Sequence, residues 1–222
     1  THAFSESVYS FDPHQKDLFP ANKSKLSPEV REGWWRAILT EWTSLLEYGA
    51  FKVVPIEESK GQKMFSALWV LKRKFSGTTS AISRLKARLV VRGFEQRPGA
   101  HFDESNLYAG VMMYSSLRTL LSMATAKGFG ISLRDVRNAY IQSDLPDELY
   151  MELPEGFKEE GKCLRLTKAL YGLRQAGHLW SNTFSGFLRS LSFERNLADP
   201  SIHSLIWKDC LLYTSPSPRD EK

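Results

Sequence analysis

The sequence predicts an α+β fold, with an antiparallel sheet packed on helices. Apolar residues recur every three or four positions in a first helical segment: Val30, Trp34, Ile38, Trp42 and Leu45. Residues 67–75 and 82–92 have the pattern of two strands of a hairpin, joined by a loop that contains Gly77. A second helical pattern, at residues 115–127, leads into a predicted strand at residues 131–136. Helices that alternate with paired strands are typical of the α+β class.

The composition is that of an ordinary globular protein. The chain has 222 residues, of which 42% are hydrophobic and 25% charged, which is enough for one or two domains. The two cysteines form no CxxC pair, and the five histidines have no zinc-site spacing. No signal peptide and no apolar run of about 18 residues is found, so we expect an intracellular chain with no membrane partner.

The first helix follows a polar amino-terminal segment. Residues 1–26 lack hydrophobic periodicity and are predicted to form a flexible arm. Ser27 is suited to the N-cap, Pro28 to the first helical position, and Gly49 to the end of the helix. The tryptophans of this helix fit either core packing or a platform for stacked bases, and their helical spacing favours the core. A short strand is predicted at residues 51–55.

The predicted hairpin concentrates the positive charge of the chain. Alternation along its second strand places cations on one face and apolar residues on the other, and the cations are Arg84, Lys86, Arg88 and Arg92. Residues 72–97 hold eight Lys or Arg and one acid, a net charge of +7, compared with +5 for the whole chain. Such a segment indicates either an anionic partner or a sheet edge kept soluble by charge, and charge alone does not separate these alternatives.

A carboxylate ends the strand predicted at residues 131–136. Ile131, Leu133 and Asp135 fall on one face of that strand. A charge in an apolar row is costly unless something compensates it, and a divalent metal ion would do so. Tyr140 follows at the turn out of the strand. The alternative is that Asp135 ends the strand and faces water.

Several sequence motifs resemble those of copia-type retrotransposon reverse transcriptases. DVRNAY, at residues 135–140, resembles the first catalytic motif, D-V-x-x-A-aromatic. WVLKRKF and RLKARLVVRGFEQ resemble the fingers signature, and YMELPEGF and LTKALYGLRQAGHLW resemble two later motifs. Residues 35–45 resemble the family's W-x-x-A-x-x-E-x-x-S-L element with small shifts. Departures are Tyr140 in place of the usual Phe, Gly110 and Gly177 in place of Pro, and His178 in place of Arg.

The resemblance implies a right-hand polymerase fold, with fingers and a partial palm over residues 27–209, and RNA-directed DNA polymerase activity. It implies that Asp135 and the backbone carbonyl of Val136 bind two Mg²⁺ ions, and that Tyr140 is the steric gate beneath the nucleotide sugar. The implied nucleotide-binding residues include, besides Tyr140, Lys72, Lys86, Arg88 and Gln175. The implied partners are an RNA or DNA template with its primer, deoxynucleoside triphosphates and the rest of a Pol polyprotein. The implied compartments are the cytoplasm, a virus-like particle or the nucleus.

The resemblance ends near residue 209. Family members continue to Y-V-D-D, which supplies the other catalytic carboxylate, whereas residues 210–222 read CLLYTSPSPRDEK. Pro216 and Pro218 do not suit a central strand, and we predict that this segment is a non-native, adapter-like tail. Two metal ions about 3.5–4 Å apart need carboxylates from two motifs, so we predict that this chain is inactive. The alternatives are a non-enzymatic nucleic-acid-binding fragment and a non-functional retroelement relic.

Overall fold

The computed structural model describes residues 28–75, 82–107, 109–207 and 210–214. These residues form three α-helices, nine strands and several 3₁₀ turns. The helices are α1 (Pro28–Glu47), α2 (Tyr114–Lys127) and α3 (Ala176–Ser190). The strands are β1 (Phe51–Pro55), β2 (Met64–Phe65), β3 (Ala67–Phe75), β4 (Ile82–Val91), β5 (Tyr150–Met151), β6 (Lys162–Leu166), β7 (Glu194–Arg195), β8 (His203–Trp207) and β9 (Cys210–Thr214). This mixture confirms the α+β class. No helix in the described part of the chain combines the length and apolar character needed to cross a membrane.

Helix α1 contributes the largest side chains of the core. Its buried residues are Trp34, Trp35, Ile38, Trp42 and Leu45. The Trp42 ring stacks on Phe157 with 4.2 Å between ring centroids, so residues of this stripe are core residues, as predicted. The chain turns away from the helix at Gly49, whose φ is +61°. The predicted N-cap, Ser27, and the predicted arm lie outside the described residues.

The main sheet has the strand order β1-β6-β5-β2 and lies against this core. β1 and β6 are antiparallel, with Phe51 opposite Leu166. β2 and β5 are parallel, so the sheet is mixed, whereas the sequence predicted an antiparallel sheet. Phe65, Met151 and Leu164 are fully buried and join the sheet to α1 in one hydrophobic cluster.

Strands β3 and β4 form the predicted antiparallel hairpin. Trp69 lies opposite Leu89 and Leu71 opposite Ala87, so these residues share the apolar face. That face belongs to the same hydrophobic cluster as α1. The predicted second strand ends one residue early, at Val91, and the connecting loop lies outside the described residues.

Helix α2 forms where it was predicted, but it has no buried residue. Gly128 ends it with a φ of +67°, and its N–H contacts the carbonyls of Ala124 and Thr125. The strand predicted to follow, at residues 131–136, is wrong: this segment has no regular secondary structure and Leu133 is 85% exposed. A strand needs a neighbour for its backbone hydrogen bonds, and no described strand pairs with this segment.

The third sheet has the order β7-β8-β9. β8 and β9 are antiparallel, with Trp207 opposite Cys210. The first five residues of the predicted tail therefore form a strand, whereas Pro216 and Pro218 lie outside the described residues. The division of the chain at residue 210 stays a prediction.

Candidate functional site

Three segments that are far apart in the sequence meet at the ring of Tyr171. The guanidinium of Arg88, on β4, lies over this ring, 5.0 Å from its centroid. Tyr140 contacts the same ring edge-on, with 4.8 Å between centroids. The structure thus brings together two predicted nucleotide-binding residues through a third residue, Tyr171, that was not predicted. We call Arg88, Tyr171 and Tyr140 the ring cluster.

The hairpin places a double row of cations next to the ring cluster. Lys72 lies directly opposite Lys86, and Lys74 lies opposite Arg84, so four cations share the face that also carries Arg88. Like charges directly opposite each other destabilise a sheet. The hairpin has two such opposed pairs of cations. It is therefore suited to contact an anion, whose negative charge would offset the repulsion between them. Lys72 and Lys86, which the sequence predicts on separate strands, therefore lie side by side on one face of the hairpin.

An acid from α1 reaches these cations. Glu41 is half-buried, accepts a hydrogen bond from the Leu89 backbone N–H and lies in the electrostatic field of Lys86 and Arg88. Burial raises the pKa of the Glu41 carboxyl, and the two cations and the hydrogen bond offset only part of this rise. The sequence motifs did not identify Glu41. The signal that could have identified it is its place as an acidic residue on the apolar face of α1.

Tyr171 is a neutral phenol at physiological pH. Burial raises the pKa of Tyr171 above its usual value of about 10, the positive charge of Arg88 opposes this rise, and the charges of Glu41 and Asp135 add to it. Asp135 therefore lies within electrostatic range of the ring cluster. This is the connection that the structure gives between the predicted metal ligand and the predicted nucleotide-binding residues.

Asp135 lies in the irregular, exposed segment that precedes the 3₁₀ turn Tyr140–Gln142. Asn138 has a φ of +50° and donates a hydrogen bond of 3.0 Å from its side chain to Ser44 Oγ, which ties this segment to α1. No cluster of three or more His, Cys, Asp or Glu side chains with the geometry of a metal site occurs in the described part of the chain. The predicted ligands Asp135 and Val136 therefore do not by themselves fit a centre for two ions.

Gln175 lies in the interior, and each polar atom of its side chain has a protein partner. Its Oε1 accepts a 3.0 Å hydrogen bond from Gln96 Nε2. Its Nε2 donates to Asp147 Oδ2 at 2.9 Å and to the His101 carbonyl at 3.2 Å. The side chain is 2% exposed, so it lies within the protein rather than on the surface of the hairpin. A nucleotide contact by Gln175 stays a prediction.

Gly172 permits a close approach of this protein's own backbone. A Cβ atom on residue 172 would lie 2.0 Å from the Val91 carbonyl oxygen. The Val91 N–H donates to the Tyr171 carbonyl at 2.9 Å, so the turn before α3 is hydrogen-bonded to the end of β4. The Val91 carbonyl therefore fills the space beside Gly172.

The chain is similar to retrotransposon polymerases over most of its length. The family model described as reverse transcriptase (RNA-dependent DNA polymerase) matches residues 48–209. The retrovirus-related Pol polyprotein from transposon TNT 1-94 of Nicotiana tabacum is 38% identical over 184 residues, which are 82% of this chain and 14% of that polyprotein. The corresponding polyprotein from transposon RE1 of Arabidopsis thaliana is 30% identical over 200 residues, 84% of this chain and 13% of that polyprotein.

Another relative, matched over a shorter segment, is the Ty1-BL Gag-Pol polyprotein of Saccharomyces cerevisiae. It is 31% identical over 132 residues, which cover 60% of this chain and 7% of that polyprotein. The chain thus spans 14% or less of the length of these relatives. These similarities confirm the resemblance found in the sequence. The chain belongs to the reverse transcriptase (RNA-dependent DNA polymerase) family, in the branch of the copia-type retrotransposon Pol polyproteins.

Proposed function

We propose that this chain supplies the nucleotide-binding fingers and part of the palm of an RNA-directed DNA polymerase within a longer Pol polyprotein. The observation that carries the proposal is the ring cluster, where the fingers strand, the Asp135–Tyr140 segment and the turn before α3 meet. Its partners would be a primer on an RNA or DNA template and deoxynucleoside triphosphates.

Each part of the site has a role in this proposal. Lys72, Lys86 and Arg88 hold the triphosphate and the template backbone, because ammonium and guanidinium groups form charge-assisted hydrogen bonds with phosphate oxygens. Tyr171 restricts the Arg88 side chain by contact with its guanidinium group. Tyr140, fixed edge-on against Tyr171, limits the space beneath the sugar of the incoming nucleotide.

Two Mg²⁺ ions would be held by Asp135 and the Val136 carbonyl, together with carboxylates of a second motif. Such ions activate the attacking hydroxyl and stabilise charge on the leaving group. The 222 residues contain no adjacent pair of aspartates, and Asp135 lies in an exposed, irregular segment. We therefore propose that the 222-residue polypeptide binds its substrates without extending a primer.

Binding is tested with a fluorescent primer-template at increasing salt. Affinity should fall steeply between about 50 and 200 mM salt, because cations that contact phosphates release counterions. The double variant Lys86→Ala/Arg88→Ala should lose about tenfold or more in affinity. Its charge-matched control is Lys52→Ala/Lys127→Ala, at exposed positions on β1 and α2, which should change affinity less than about twofold. The proposal would be contradicted if the affinity did not depend on salt concentration, or if the two double variants lost affinity equally.

Turnover is tested by primer extension with magnesium. The wild-type polypeptide and Asp135→Ala should both give no product, while both bind primer-template. Magnesium-dependent extension that Asp135→Ala abolishes would show that the polypeptide is active, and would refute the proposed inactivity while leaving the binding proposal intact.

A further inference from the structure

We propose that Glu41 is a positioning residue for the phosphate-binding cations. In this proposal its carboxylate is an internal anion that holds Lys86 and Arg88 until a triphosphate replaces it, and so sets how strongly phosphate binds. The inference rests on the proposed function of these cations and adds a residue of α1 to the site.

Glu41 lies at one edge of β4. Leu89 and Val91 are two residues apart on β4, so their N–H groups point to the same edge of the strand. Val91 donates to the Tyr171 carbonyl, and Leu89 donates to the Glu41 carboxylate. Glu41 and the turn that carries Tyr171 therefore cover one edge of β4 side by side. The Glu41 carboxylate is thereby fixed next to the cations of that strand.

Glu41 also lies in the electrostatic field of the hairpin cations. Its half-buried carboxylate is within electrostatic range of two cations of β4, Lys86 and Arg88, and Lys72 lies across the hairpin from Lys86. Charges interact strongly where a site is partly shielded from water. A carboxylate presents two oxygens to ammonium or guanidinium donors, as a phosphate does. Glu41 is therefore an anion in the field of the same two cations that a phosphate would contact, and in this proposal the two anions compete.

A purely structural role for Glu41 makes a different prediction. If Glu41 served only to accept the Leu89 hydrogen bond, any acceptor in its place would suffice, and phosphate binding would not change. Glu41→Gln separates the two roles, because the amide oxygen still accepts the hydrogen bond while the charge is lost. Glu41→Ala removes both the acceptor and the charge.

The experiment measures the affinity for inorganic triphosphate by calorimetry at pH 8 without divalent metal. Glu41→Gln should bind triphosphate at least about threefold more tightly than wild type, because a competing charge has been removed. Its melting temperature should stay within about 2 °C of wild type, whereas Glu41→Ala should melt at a lower temperature. The charge-matched control is Glu32→Gln, an exposed residue of the same helix that pairs with Arg36, and it should not change the affinity.

Each outcome decides the proposal. Equal affinities of Glu41→Gln and Glu32→Gln, or weaker binding by Glu41→Gln, would overturn it. Arg88→Ala distinguishes this failure from failure of the proposed function. If Arg88→Ala binds triphosphate more weakly than wild type while Glu41→Gln is unchanged, only the role of Glu41 is wrong. If wild type does not bind triphosphate, or Arg88→Ala binds it equally well, the proposed nucleotide site is wrong, and the role of Glu41 with it.

Discussion

The carbonyl oxygen of Gly172 lies 1.9 Å from the position that a Cβ atom on residue 93 would occupy. A Cβ atom on residue 172 would in turn lie 2.0 Å from the carbonyl oxygen of Val91, two residues before Gly93. Two glycines from separate family motifs, RGF and YGL, thus let the end of the β3–β4 hairpin and the turn before α3 pass in direct backbone contact. This crossing holds Tyr171 beside the hairpin that carries Arg88.

Gly93→Ala should destabilise the protein by about 2 kcal/mol or more, because the added methyl group meets backbone rather than a flexible side chain. Gly172→Ala should cost more, since the φ of +94° is also unfavourable for alanine. The control is Gly186→Ala in α3, where nothing lies within 4 Å and alanine should stabilise the helix by about 1 kcal/mol. Urea unfolding measures all three. Equal free energies of unfolding for Gly93→Ala and wild type would refute the tight crossing.

Gln175→Ala should lower the free energy of unfolding by about 1–3 kcal/mol, because the buried Gln96 and the half-buried Asp147 lose the hydrogen bonds that they make with Gln175. Gln142→Ala, at an exposed position, is the control and should leave stability unchanged. Calorimetric binding of triphosphate by both variants completes the test. Suppose that Gln175→Ala binds triphosphate more weakly while its free energy of unfolding is unchanged. Gln175 would then contact the nucleotide, as the family resemblance implies, and its buried hydrogen bonds would contribute little to stability.

The sequence predicted the hairpin and helices α1 and α2. Their hydrophobic residues recur with a period of two in strands and of about 3.6 in helices, and this period can be read from residues that are close together in the sequence. The strand expected at residues 131–136 failed because strand formation depends on a partner elsewhere in the chain. A glycine such as Gly172 indicates a place where another group can approach the backbone, but the sequence pattern does not tell whether a ligand or the protein's own Val91 carbonyl fills the space. Glu41 was not identified from the sequence, because a family motif shows which residue types occur but not which groups they contact in the fold.

Asp199 anchors the beginning of α2, a helix that has no buried residue of its own. Its carboxylate accepts hydrogen bonds from the backbone N–H groups of Met113, at 2.9 Å, and Ser201, at 3.1 Å. Burial raises the pKa of Asp199, but these bonds and one from the Ser116 side chain together lower it below its usual value. The carboxylate therefore stabilises the fold above pH 4, and this contribution is lost as pH falls through the lowered pKa.

Asp199→Asn should lower the free energy of unfolding at pH 7 by about 1–3 kcal/mol, because the amide replaces an acceptor oxygen with a donor. Asp144→Asn is the control, an exposed carboxylate that pairs with Lys168, and it should leave the unfolding midpoint unchanged. Urea unfolding followed by circular dichroism measures both. If both variants unfold at the same urea concentration as wild type, Asp199 does not anchor α2.

His203 should make stability depend on pH in the near-neutral range. Its ring is fully buried in β8, and burial lowers its pKa, as do the nearby charges of Arg195 and Arg189. Below about pH 6.5 the unfolded chain binds a proton at this residue while the folded chain does not, so the free energy of unfolding must fall as pH decreases. At higher pH the residue is neutral in both states and this dependence disappears.

His203→Leu removes the titrating group while keeping a similar volume. We expect wild type to lose more stability than His203→Leu when urea unfolding is compared at pH 7.5 and 5.5. The slope that remains in the variant belongs to groups such as His101, whose pKa is also lowered by burial. Because leucine at position 203 also changes packing, the quantity compared is the difference between the two pH values within each protein. Equal losses in the two proteins would mean that His203 takes up its proton without unfolding the third sheet.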